Sequence, residues 1–148
     1  MVLGPVRRPP TLTRVEHAPP VLHLSLAVRD LAAAREFYVD GLGCDLGRVR
    51  DGWVDVWFHG MQVTLHEQPA DVVEPGHNAV RHFGVTLDLD DFAAVLARLE
   101  SRTIEWVRPL QTDYAGTPRE QTKAMIADPS GNAIELKAYA DPAVAFEN

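Results

Sequence analysis

A chain of 148 residues, 46% hydrophobic and 24% charged, is long enough to bury a core as one domain, which excludes wholesale disorder and a membrane-embedded protein. A formal net charge of -7 argues against a nucleic-acid surface, which needs clustered Lys and Arg, and leaves small molecules or proteins as partners. Cys44 is the only cysteine, so no intrachain disulfide or thiolate zinc cluster can form; with no apolar run of about 18 residues and no secretory core, a cytoplasmic location off the membrane is expected.

Residues 1–20 carry five prolines with little periodicity and read as an arm. Residues 21–28 (VLHLSLAV) are rich in strand formers, and Asp30 then stands as an N-cap before the alanine-rich amphipathic run LAAAREFYVDGLG. Gly41 and Gly43 end that helix. Three strands are predicted after it, over residues 44–50, 53–59 and 61–66, with turns at Asp51-Gly52 and at Gly60.

A polar, proline-bearing stretch over residues 67–78 separates this unit from a second with the same order of signals. Residues 80–87 (VRHFGVTL) are its first strand. Asp90 and Asp91 open a helix with Phe92, Val95, Leu96 and Leu99 at helical spacing, and strands follow over residues 103–107, 121–126 and 132–139. The last two are joined by DPSGN, where Pro129 and Gly131 suit a tight turn and no site is expected. The chain therefore divides into module one (21–68) and module two (79–140), followed by a tail (141–148), an α+β duplication of a strand-helix-three-strand unit.

Chemistry is expected where the duplication places like residues alike. His23 and His82 each fall near the start of their module's first strand. Glu135 shares one face of the last strand with Ala133 and Lys137, and a carboxylate inside an apolar strand needs a cation, an arginine or a metal. Singly, a strand histidine is more often a hydrogen-bonded structural residue, and a strand glutamate often faces water. Together, two imidazoles and a carboxylate make the donor set that suits Fe(II) or Mn(II), with Zn(II) or Ni(II) as alternatives. Trp53, Trp57, Phe58 and Phe83 line an apolar cup or pack in the core. Cys44 lacks a charged helper and reads as a small buried residue.

The runs HLSLAVRDLAAAREFYVDGLGC, RHFGVTL and DPSGNAIELKAY resemble the repeated signatures of the glyoxalase, bleomycin-resistance and extradiol-dioxygenase (vicinal-oxygen-chelate) superfamily, over about residues 21–139. Within it, GWVDVWFHGMQVTLHEQP followed by HFGVTL most resembles small predicted dioxygenases. The resemblance implies two βαβββ modules forming a cup-shaped mixed sheet, and one divalent metal held by residues on the first and last strands of each module. Carried onto this chain, those are His23, His82 and Glu135.

The fourth position departs from the family pattern, because Gly60 to Thr64 matches Gly131 to Glu135, and threonine is a poor ligand. His66 has the parity of Thr64 but lies about 6 to 7 Å further along the strand. It is the candidate proton carrier, with Gln62, Thr64 and Trp57 as candidate substrate contacts. A glyoxalase-like isomerase would have a glutamate where Thr64 stands. The ring-cleaving branch would add a histidine and a tyrosine where Met61 and Met125 stand, unless Tyr114, His59 or His66 substitutes. The expectation is a dioxygenase-type metalloenzyme for a small substrate with vicinal oxygens, working as a homodimer; the alternatives are an isomerase or lyase, or a metabolite-binding protein without turnover.

Overall fold

The computed structural model describes residues 20–74 and 79–147. The arm therefore lies outside the described residues except for Pro20. Module one runs β1 (His23–Val28), α1 (Leu31–Arg35), a π-helical turn (Glu36–Gly41), β2 (Asp45–Arg50), β3 (Trp53–Phe58) and β4 (Met61–Glu67). Module two runs β5 (Phe83–Leu87), α2 (Leu89–Glu100), β6 (Glu105–Asp113), β7 (Gln121–Ala127) and β8 (Ala133–Tyr139). Each module is a four-stranded mixed sheet, ordered β1-β4-β3-β2 and β5-β8-β7-β6, with the first and last strands parallel and the others antiparallel. The duplication read from the order of signals is thus present as two sheets of one topology. Among the described residues no helix is long and apolar enough to cross a membrane.

Strand alternation sorts the side chains. Leu24, Leu26 and Val28 of β1, Val54, Val56 and Phe58 of β3, and Val63 and Leu65 of β4 point to the core, as do Ile134, Leu136 and Ala138 of β8. The helices cover that side: α2 buries Phe92, Val95, Leu96 and Leu99 at helical spacing, and Phe37 and Tyr38 enter the same core. Phe58 and Phe83 meet edge-on at 5.5 Å and belong to this core, not to the open face.

Several expectations are corrected. The first helix is α-helical for only five residues and then widens, with Leu42 N bonding Phe37 O and Cys44 N bonding Tyr38 O. Phe37 and Tyr38, on this wider turn, are both buried. The cap of α2 is Asp88, whose side chain accepts from Asp91 N at 2.8 Å, so Asp90 and Asp91 fall in the first turn beside the positive helix end. Strand β6 continues past Pro109 to Asp113, six residues beyond the expected end at residue 107; Pro109 is tolerated on an edge strand within a register irregularity.

The DPSGN turn forms as expected, with Gly131 at φ 89°, but it also joins the modules. Asp128 is buried; its carboxylate accepts from Ser130 N and Asn132 N at 2.9 Å, from Asn132 Nδ2 at 2.8 Å and from the Tyr38 hydroxyl at 3.0 Å. Ser130 Oγ accepts from Arg29 N at 2.8 Å, and Asn132 Nδ2 donates to Ala27 O. The turn of module two thereby clasps the end of β1. Burial first, then the Asp128 charge, pushes the Tyr38 hydroxyl well above its ordinary pKa, so it stays a donor.

Candidate metal-binding face

Opposite the core, each sheet presents an open face, and strand register makes the two faces directly comparable. Ser25 pairs Thr64 as Gly84 pairs Glu135, and Asp55 pairs Thr64 as Met125 pairs Glu135. The assignment of Thr64 as the counterpart of Glu135 is therefore correct in register. His23 is the first residue of β1, whereas His82 stands one residue ahead of β5, so the expectation that both lie inside strands is corrected by one short step.

On the face of module two, His82 Nε2 lies 3.7 Å from Glu135 Oε2, and Lys137 Nζ lies 3.7 Å from the same oxygen. Gly84 lets β5 lie close against β8: a Cβ there would fall 2.1 Å from the Glu135 carbonyl oxygen. His82 Nδ1 contacts Ala79 O at 2.7 Å. A carbonyl only accepts, so Nδ1 carries the proton, and in the neutral ring Nε2 turns a lone pair toward the Glu135 carboxylate. Ala79 is buried in the left-handed region at φ 44°, an uncommon conformation for a residue with a Cβ, and its carbonyl holds the ring.

That donor set fits a cation. With the ring neutral, an Nε2 lone pair and a carboxylate face each other at 3.7 Å, and bonds of about 2.0–2.2 Å from each to one ion span that gap; with Nε2 protonated the two form an ion pair. His23 is not in the pair; it is exposed on sheet one with Nε2 3.3 Å from Ser25 Oγ. Among the described residues of one chain, no three His, Cys, Asp or Glu side chains converge as a metal cluster. Two of the three expected ligands are thus brought together and the third stands apart.

The face of module one is organised around a residue the sequence reading passed over. Asp55 is 1% exposed in the middle of β3. It accepts from Thr64 Oγ1 at 2.6 Å, Gln62 Nε2 at 3.0 Å and Arg48 Nε at 2.7 Å. Burial pushes its carboxyl up, but these three hydrogen bonds and the Arg48 charge outweigh burial and hold it below the usual carboxylate range. Thr64 and Gln62 thus spend donors on Asp55. Trp57 is 38% exposed on the same face, and His66 stands two residues beyond Thr64, its ring 6.3 Å from that of Trp53. His59 and Tyr114, both at positive φ, are turn residues, and Met125 is buried beside Ala79 and Ala133. Cys44 is buried, and burial, followed by Asp45, pushes its thiol up to about 12, as suits a packing residue.

Residues 21–136 match the family profile of the Glyoxalase/Bleomycin resistance protein/Dioxygenase superfamily. The chain belongs to this superfamily. A glyoxalase/bleomycin resistance protein/dioxygenase from Alicyclobacillus acidocaldarius is 30% identical with a TM-score of 0.73, the alignment covering 85% of this chain and 96% of that one. The fosfomycin resistance protein FosX from Listeria monocytogenes has the same fold at 15% identity and a TM-score of 0.66, over 82% of this chain and 94% of that one. FosX from Mesorhizobium loti does so at 14% identity and a TM-score of 0.66, over 88% of this chain and all 100% of that one. Comparison with curated proteins gives no significant match.

Proposed function

We propose that this superfamily member is a divalent-metal-dependent enzyme acting on a small substrate with vicinal oxygens, in a dioxygenase-type reaction, with His82 and Glu135 of one copy and His23 of a second copy holding the metal. The observation that carries the reading is the Nε2 of His82, its ring oriented by Ala79 O, facing the Glu135 carboxylate at 3.7 Å. The place of His23 outside that pair favours a site shared by two copies of the chain over one held within a single copy.

Fe(II) or Mn(II) is the favoured ion, with Zn(II) or Ni(II) as alternatives that the same donor set accepts, and when bound would supply acidification of substrate hydroxyls and a place for dioxygen. Glu135 offsets the positive charge, while Lys137, beside it, offers N–H to an oxygen of the substrate. His66 is the residue assigned to accept and return a proton, because an imidazole can take a proton on one ring nitrogen and give it back. Gln62, Thr64 and Trp57 shape the opposing wall. A non-catalytic binding protein is the second reading: a cavity of about 760 Å³, lined by Leu24, Leu26, Val73 and Phe83 and also by His82, is large enough to hold a small ligand without turnover.

Elemental analysis of protein purified without added metal, beside His23→Ala, His82→Ala and Glu135→Ala, tests the proposal. About one equivalent of iron or manganese per chain, lost in each variant, together with dioxygen uptake on catechols, is the expected result. Zinc or nickel instead redirects the reading to an isomerase or lyase, and a parent that takes up no ion anaerobically leaves the binding protein. Mixing unfolded His23→Ala and Glu135→Ala chains and refolding them reports on sharing. About half the dimers are then mixed, each with one intact site of two, so about a quarter of the parent's metal returns if the site spans copies, and none if it does not.

A further inference from the structure

Module one holds a guanidinium on a buried carboxylate of its open face. Strand β2 carries a bulge: Leu46 pairs Val56 and Val49 pairs Val54, so Gly47 and Arg48 together oppose Asp55 alone. Bulges re-aim side chains. Here the residue at the first bulge position has to be glycine, because a Cβ on Gly47 would fall 2.9 Å from Asp55 Cβ and 3.3 Å from Trp57 Nε1. Arg48 is thereby turned onto the open face, its Nε on Asp55 at 2.7 Å and its guanidinium carbon 5.1 Å from the ring centroid of Trp53.

Three restraints thus fix one arginine: the bulge, the carboxylate and the indole face. Module two repeats the irregularity, with Arg108 of β6 opposite Met125, but has no carboxylate at the equivalent of Asp55; a buried carboxylate is unfavourable on its own and stands in module one alone. The side chain of Arg48 is nonetheless 61% exposed. Among the described residues its two Nη groups make no hydrogen bond, so the fork opposite Nε points to solvent from a fixed base. A planar fork held edge-on and backed by an aromatic ring is the arrangement that binds a carboxylate or phosphonate through two parallel hydrogen bonds.

We propose that Arg48, positioned by Asp55 and Trp53, is an anion-recognition subsite on the open face of module one, taking the carboxylate or phosphonate of a small aromatic acid, with Trp57 against its ring. This deepens the functional reading, on which it rests for the reaction, by naming the substrate class: an acid that also carries the vicinal oxygens. It stands on residues separate from the metal ligands, so the two are tested apart.

The experiment is titration of the full-length protein, once metal-loaded and once treated with chelator, with benzoate, phenylphosphonate and the neutral isostere benzamide, followed by tryptophan fluorescence. Saturable binding of both anions and not of benzamide is expected, weakened about ten-fold in Arg48→Gln and partly retained in Arg48→Lys. Arg48 is exposed enough for Arg48→Gln to fold, and its thermal melt is the control; Trp57→Leu reports stacking by weakening both anions alike. Equal binding of benzamide and benzoate, no saturation at millimolar ligand, or parent-like affinity in folded Arg48→Gln overturns the subsite. Anion binding that survives in a protein taking up no metal would keep this inference and sink the metal reading; a metal site without anion selectivity would do the reverse.

Discussion

Two sheets of one topology in one chain have divided their labour. In module two the open face carries a carboxylate on the last strand, Glu135, facing an imidazole across a gap that suits a cation. In module one the carboxylate has moved one strand over, to Asp55, and is saturated by a threonine, an amide and an arginine. A carboxylate with three donors at 2.6–3.0 Å has little left for a metal, whereas one with a lysine and an imidazole at 3.7 Å has much. The same backbone thus serves as a polar platform in one half and as a donor pair in the other, and what decides is the satisfaction of the carboxylate, not its presence.

Changes to the clasp between the modules have the largest expected effect, because they strike both halves at once. Asp128→Ala leaves the fully buried Tyr38 hydroxyl without its partner and removes the acceptor of Ser130 N and Asn132 N, so a loss of about 3 kcal/mol in urea unfolding is expected. Asp55→Ala strikes module one alone. It orphans the Thr64 hydroxyl and the Gln62 amide but frees Arg48 to solvent, so about 2 kcal/mol is expected, with the metal content of module two's pair unchanged.

The same carboxylate gives a pH signature. Its folded pKa lies below the unfolded value of about 3.9, so its stabilisation is present above about pH 4 and is lost as pH falls through the depressed folded value. Acid unfolding of Asp55→Asn is expected to be flatter than the parent's over that range; a superimposable acid limb would mean that Asp55 is not ionised in the folded protein. The smallest effect sharpens the contrast between faces. Thr64→Val removes one hydrogen bond to Asp55 and is expected to lower stability by about 1 kcal/mol while leaving bound metal intact, whereas its register counterpart Glu135→Gln abolishes metal with little change in the melt of the metal-free protein.

Much of this was legible in the sequence, for reasons that also explain the misses. The repeated order of elements, the parity of Glu135 and the match of Thr64 to Glu135 all follow from a two-residue period and a shared turn spacing, which a linear chain records faithfully. Asp55 carried the same signal as Glu135, a lone carboxylate within the apolar WVDVWF, and the same reasoning applied to it would have found the network. The π-helical turn was not legible, because over six residues a wider helix and a 3.6-residue one place apolar groups almost alike. Nor was the separation of His23 from His82, since strand periodicity fixes which face a residue occupies and says nothing about which sheet that face meets.

The clasp has a consequence in time. Tyr38 and Asp128 are 90 positions apart, and Arg29 and Ser130 are 101 apart, so the bonds that finish module one are supplied by nearly the last strand pair to be made. Contacts of such long sequence separation form late, after their loop entropy has been overcome by local structure. On a ribosome adding about 5–20 residues per second, the first sheet, complete at Glu67, waits roughly 3 to 13 s for the turn that closes over it. Through that interval the Tyr38 hydroxyl has no Asp128 to meet, and the newborn first half is the stretch of this protein's life in which a chaperone has most to hold.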